Sequence, residues 1–176
     1  MLHRLGACLL FALLPALFAQ TAAPVSAPTS DPPVSWIDPD TGHRVVRLTS
    51  EPGSASLYFN QNGYTADGKR LVYTTPDGIS VLDLATRQAR QVVPGRARLI
   101  DAGRKTPRVY YVREGAAFWT DVDTGDTRRI GILPPRGSIA TVNADETLLA
   151  GTYIEGAGQV LVALRVEGVV GHREAL

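Results

Sequence analysis

One pattern limits what this chain can fold into: it repeats itself. Leu71-Val72-Tyr73 is answered by Val109-Tyr110-Tyr111 and by Leu148-Leu149-Ala150, about 38 residues apart. TADGKRL from Thr65 to Leu71 is echoed by NADETLL from Asn143 to Leu149. DLATRQARQVV from Asp83 to Val93 is answered by DVDTGDTRRIG from Asp121 to Gly131, and an earlier DPDTGHRVVRL begins at Asp38. Self-similarity at a fixed period marks a unit that cannot bury its apolar face alone and must stack on its neighbours.

The local chemistry of that unit is extended. Asp67-Gly68 is a tight-turn dipeptide, since Gly takes positive φ without steric cost, and the β-branched and aromatic run that follows favours a strand. Asp-x-x-Thr and Asp-x-Asp-Thr-Gly place short acceptor side chains where they bind backbone N–H groups, closing a hairpin with its charges toward water. Arg47, Arg90 and Arg128 follow these turns and read as residues of an exposed outer strand. From Trp36 on, no window keeps apolar residues at i, i+3, i+4 and i+7 for three helical turns. The pattern predicts strands at Arg44–Leu48, Leu57–Phe59, Arg70–Thr74, Ile79–Asp83, Ala89–Val93, Arg98–Asp101, Val109–Arg113, Ala117–Asp121, Thr127–Ile130, Ile139–Val142, Leu148–Tyr153 and Gln159–Val166. Units of this length match the ~40–45 residues of a four-stranded propeller blade, so the expected fold is all-β, a partial β-propeller. Residues 36–176 supply about three to three and a half blades, where closed propellers use roughly four to eight. The chain therefore reads as a fragment, or as the amino-terminal portion of a gene cut short, with an open blade face that invites self-association.

The ends read differently. Residues 1–23 carry a short basic start at His3-Arg4, an apolar run from Leu5 to Phe18 and small residues beyond, the layout of a secretory signal peptide, which implies export to the periplasm or outside the cell. That run is shorter than the ~20 residues of a transmembrane helix, and Pro15 interrupts it, so no membrane association is expected after signal removal. Cys8, the sole cysteine, leaves with the signal and takes disulfide, Cys-metal and Cys-nucleophile chemistry with it. Residues 24–35 are a Pro/Ala/Ser-rich linker. A net charge of +1, with cations scattered among acids, gives no footprint for nucleic acid.

Longer runs are more particular. WIDPDTGHRVVRLTSEPGSASLYFNQNGYTADGKRLVYTTPDGISVLDLATR (Trp36 to Arg87), GRKTPRVYY (Gly103 to Tyr111) and TVNADETLLAGTYIEG (Thr141 to Gly156) together resemble the amino-terminal half of oligogalacturonate lyases, on TolB-like propeller repeats. The resemblance implies a seven-bladed ring that cleaves oligogalacturonides by β-elimination to keto-deoxyuronate, aided by a divalent metal such as Mn2+. The catalytic and metal-binding histidines of that family lie in later blades, so no catalytic residue, metal ligand or cofactor is assigned within this chain. His43 reads as a surface-turn residue, and His172 has no assigned role. The implied ligand is an acidic oligosaccharide. Asn60, Gln61 and Asn62, ahead of the first inner strand, offer amides to sugar hydroxyls, although the family more usually shows His at the place of Asn60. Arg104 and Lys105 offer a fork and a point charge to a uronate carboxylate, and Arg136, fixed in approach by Pro134-Pro135, offers another. Tyr58, Phe59, Trp119 and Tyr153 read first as blade-packing core, with sugar stacking as their other use.

Overall fold

The computed structural model describes residues 34–166. The signal segment, the linker up to Pro33, Cys8 and His172 lie outside the described residues. All regular elements among those described are strands, and each sheet joins its strands in chain order. β3 (Ala55–Ser56), β4 (Arg70–Thr75), β5 (Gly78–Asp83) and β6 (Ala89–Pro94) form the first blade. β7 (Arg98–Ala102), β8 (Arg108–Arg113), β9 (Ala116–Asp121) and β10 (Thr127–Ile132) form the second. β11 (Ser138–Val142), β12 (Leu148–Glu155) and β13 (Gly158–Arg165) form a third, while β1 (Ser35–Ile37) and β2 (Arg44–Val46) pair separately. The fold is all-β and a partial β-propeller.

The turns explain the repeat. Asp38, Asp83 and Asp121 each accept the backbone N–H of the Thr three residues on, at 2.8, 2.7 and 3.0 Å. The next residue is left-handed in each copy: Gly42 at φ 71°, Arg87 at 59° and Gly125 at 81°. β1–β2 thus carries the same turn as the outer hairpins β5–β6 and β9–β10. The inner turns match likewise, with Gly68 at φ 67° and Glu146 at 61° in equivalent places.

Stacking then buries both faces of the middle blade. Leu99, Ala102, Val109, Tyr111 and Val122 pack on Val72, Ile79, Val81 and Val93 of the first. Ile100, Tyr110, Ala117 and Trp119 pack on Ile139, Val142 and Leu149 of the third. Leu99 and Ala102 share a face despite their odd spacing because a bulge shifts the register between Leu99 and Asp101, and β11 has its counterpart between Ile139 and Thr141. Among the described residues nothing packs on the far side of the third blade: Leu161 is 84% exposed, and Ile154 and Leu148 are exposed too.

One expected strand is absent. Leu57–Phe59 does not pair; the chain instead turns at Tyr58, whose C=O accepts Gln61 N–H at 2.9 Å and whose N–H donates to Gln61 Oε1 at 3.1 Å. The side chain that competes with the ladder is Gln61, since its amide satisfies the strand's own donor locally. Ser35–Ile37, unexpected from the sequence, pairs with Arg44–Val46.

Candidate functional site

Each blade's first strand begins at one end of the stack, beside the turn between its second and third strands. Between the first two blades that end opens into a cleft of about 1090 Å³. Ser56, Tyr58 and Gln61 form one wall, Thr74 to Pro76 another, and Arg96, Arg98 and Arg113 with Glu114 the third. Three guanidinium groups face one carboxylate, so the cleft is net positive, and Arg is the side chain whose planar fork matches a carboxylate.

The three cations are held differently. Arg98 donates to Ile139 C=O at 2.8 Å, which ties the second inner strand to the third, and burial pulls its pKa down from the ordinary arginine value. Arg113 donates to Pro94 C=O at 2.6 Å and lies 5.5 Å from the Tyr111 ring centroid, while its Nε is buried with no protein partner. Arg96 is exposed and makes no hydrogen bond or ion pair among the described residues. None of the three is marked by a motif; they converge only through blade stacking, although their recurrence near the start of β7 and the end of β8 is visible in RARL and VREG.

The residues singled out from sequence do not gather in one place. Gln61 lines the cleft, but its amide is engaged, donating to Ile100 C=O at 2.7 Å. Asn62 donates both amide hydrogens, to Tyr64 C=O at 2.7 Å and Ala102 C=O at 3.0 Å. Asn60 is exposed beside them. Arg136 precedes β11 as Arg96 precedes β7, so it sits at the cleft's end of the stack one blade on; it is left-handed at φ 57° and donates to Ile154 C=O at 3.3 Å. Arg104 and Lys105 follow β7 and therefore occupy the opposite end, near Asp101 and Asp145 respectively. His43 is exposed in the β1–β2 turn. Tyr58 and Phe59 are exposed, whereas Trp119 is buried beneath the Arg108 guanidinium, 4.1 Å from the ring centroid.

Two buried acids escaped sequence reasoning. Asp101 accepts Asn62 N–H at 2.5 Å, and burial raises its pKa against the opposing pull of that bond and of Arg104. Glu146, 0% exposed, accepts Lys105 N–H at 2.5 Å, Thr106 N–H at 3.2 Å, the Thr106 hydroxyl and Tyr110 OH at 2.9 Å. Burial acts to raise its pKa, but those bonds prevail and hold it below the ordinary carboxylate value. The same burial, with the Glu146 charge, raises Tyr110. The signal for both acids was a charged residue inside an apolar or turn pattern: RLIDA, and Glu where the first repeat has Gly68.

Among the described residues no three His, Cys, Asp or Glu side chains come together as a metal site. No helix among them is long and apolar enough to cross a membrane.

No family model and no curated protein matches the chain. Solved structures do. An oligogalacturonate lyase from Vibrio parahaemolyticus is 26% identical, with 67% of this chain and 35% of that one covered and a TM-score of 0.56. TolB from Acinetobacter baumannii is 22% identical, with 76% and 35% covered and a TM-score of 0.50. The chain spans about a third of the length of these solved relatives. It is similar to an oligogalacturonate lyase and shares the propeller architecture of TolB.

Proposed function

We propose that this chain is the ligand-binding part of an exported propeller of oligogalacturonate-lyase type, and that it takes acidic oligosaccharides through the cleft between its first two blades. The observation that carries the reading is the set Arg96, Arg98 and Arg113 against the lone Glu114. A uronate chain presents a carboxylate on every sugar, and a net positive cleft recognises that charge where a neutral glycan gives it nothing. Arg136 extends the positive end toward the third blade. Asn60, exposed in the same turn, offers a polar group near the cleft, while the amides of Gln61 and Asn62 hold backbone carbonyls and Arg104 and Lys105 stand at the other end.

Turnover needs more. Removing a proton next to a carboxylate requires a base together with a cation or metal that disperses the growing charge. The cleft supplies cations, and Glu114 is the sole carboxylate that lines it. Binding without elimination is the function we assign to the described residues. Oligogalacturonides should bind the full chain in calorimetric titration while neutral oligosaccharides of equal length do not, and no keto-deoxyuronate should appear with Mn2+ present. Arg96→Ala should cost more affinity than Arg104→Ala with Lys105→Ala. Equal binding of charged and neutral sugars refutes the reading.

A second reading, a TolB-like module that catalyses nothing and meets a protein, draws on the bare side of β12 and β13. That same surface is where we place self-association.

A further inference from the structure

We infer that Tyr58 and Phe59 form a stacking platform for one sugar ring of the acidic chain, so that the cleft selects oligomers over single uronates; this rests on the cleft reading above. Tyr58 is 67% exposed and Phe59 86% exposed, and their rings touch with centroids 4.5 Å apart and planes 49° from parallel. A lone exposed aromatic needs no explanation, but two in contact, at the edge of a cationic cleft, form an apolar surface that an amphipathic ring covers well. Tyr58 itself lines the cleft with Arg96.

The pair is held in place. Gln61 clasps Tyr58 through both backbone groups and reaches across to Ile100 C=O on the second blade, so the turn that displays the rings is anchored to β7. A platform fixed before binding loses little entropy on binding. A regular strand here would have turned Tyr58 and Phe59 to opposite faces; the turn at Tyr58 to Gln61 instead presents both rings outward. The cleft volume of about 1090 Å³ exceeds the ~300–1,000 Å³ usual for small-molecule sites, which suits more than one sugar unit. One sugar offers an apolar C–H face to the rings while the carboxylate of a neighbouring sugar meets Arg96, which makes no hydrogen bond or ion pair among the described residues, so a single uronate can make only one of the two contacts.

The test titrates the full 176-residue chain with galacturonate, its dimer and its trimer, comparing wild type, Tyr58→Ala with Phe59→Ala, Tyr58→Phe with Phe59→Tyr, and Arg96→Ala. The double alanine variant should weaken trimer binding by about tenfold, the scale of uncovering part of one aromatic face, and change monomer binding far less. The aromatic swap should restore it, and unfolding midpoints should match wild type because both rings are solvent-facing. Trimer affinity that survives the double alanine but falls with Arg96→Ala overturns the platform and leaves the cleft standing. Wild type that binds none of the three sugars overturns both.

Discussion

Replacing Glu146 should loosen the second blade from the third, and the size of the effect follows from what its carboxylate holds. Glu146→Ala strands four donors: two backbone N–H groups at Lys105 and Thr106, the Thr106 hydroxyl and Tyr110 OH. Lys105 is exposed and Thr106 half-buried, so water recovers much of the backbone loss. Tyr110 is fully buried and cannot be rescued. At about 1–3 kcal/mol for each buried group left unpaired, the loss should be about 3–4 kcal/mol. Glu146→Gln keeps one carbonyl for the two N–H groups and offers its NH2 to the hydroxyl oxygens, so it should cost about 1 kcal/mol. Glu146→Gly loses the clasp but relieves a side chain at φ 61°, and should be milder than Ala by about 1 kcal/mol. The pH sign is fixed by the depressed folded pKa: the carboxylate's contribution is full above the unfolded value and is lost as pH falls through the folded one. The gap between wild type and Glu146→Gln should therefore close in acid. Urea unfolding followed by the fluorescence of Trp119, in the same interblade core, reads all of this. An alanine variant within 1 kcal/mol of wild type by the rule for buried groups, or a Gln gap unchanged from neutral pH to well below the carboxylate range, refutes the reasoning.

Two further outcomes follow from the turns and the bare edge. Gly125→Ala should destabilise by about 1 kcal/mol for backbone reasons alone, since nothing lies within 4 Å of the added Cβ, while Arg87→Gly in the equivalent turn should be neutral or stabilising by less than that; equal penalties in thermal melts would break the turn equivalence. Leu161→Lys, at an 84% exposed position, should lower concentration-dependent self-association in sedimentation without moving the unfolding midpoint, and unchanged association would place the contact elsewhere.

The repeat was legible because it is written in local chemistry. An Asp that binds the N–H three residues on, and a left-handed residue after it, close a hairpin wherever they occur, so Asp83 and Asp121 could be read without any tertiary knowledge. Strand ends followed: Arg70–Thr75 was expected one residue shorter. Leu57–Phe59 misled because its side chains favour a strand, while the deciding bond comes from Gln61 and is completed by Ile100 on another blade. β1 escaped because three residues between Pro33 and Pro39 give no alternation to read. The cleft arginines escaped for the same reason as Glu146: their partners lie about 20 to 40 residues away, and only stacking brings them together.

The two ends of the blades differ in how their charge is spent, and this decides where an anion would settle. At the end that holds Arg104 and Lys105, Asp101, Asp145 and Glu146 lie within electrostatic or hydrogen-bonding reach, and Glu146 has already turned its charge onto the loop. An incoming carboxylate there meets cations whose fields are largely offset. At the cleft, Glu114 is the sole acid against three guanidiniums, and two of those donate to carbonyls, which fixes their position without neutralising their charge. Carbonyl oxygens are dipoles, not counter-ions, and neither Arg98 nor Arg113 makes an ion pair among the described residues, so no acid bonded to them offsets their charge. Arg96, which makes no hydrogen bond or ion pair among the described residues, is the fork that the proposed reading gives to a ligand carboxylate, and the cleft's arginines converge because of where the inner strands begin.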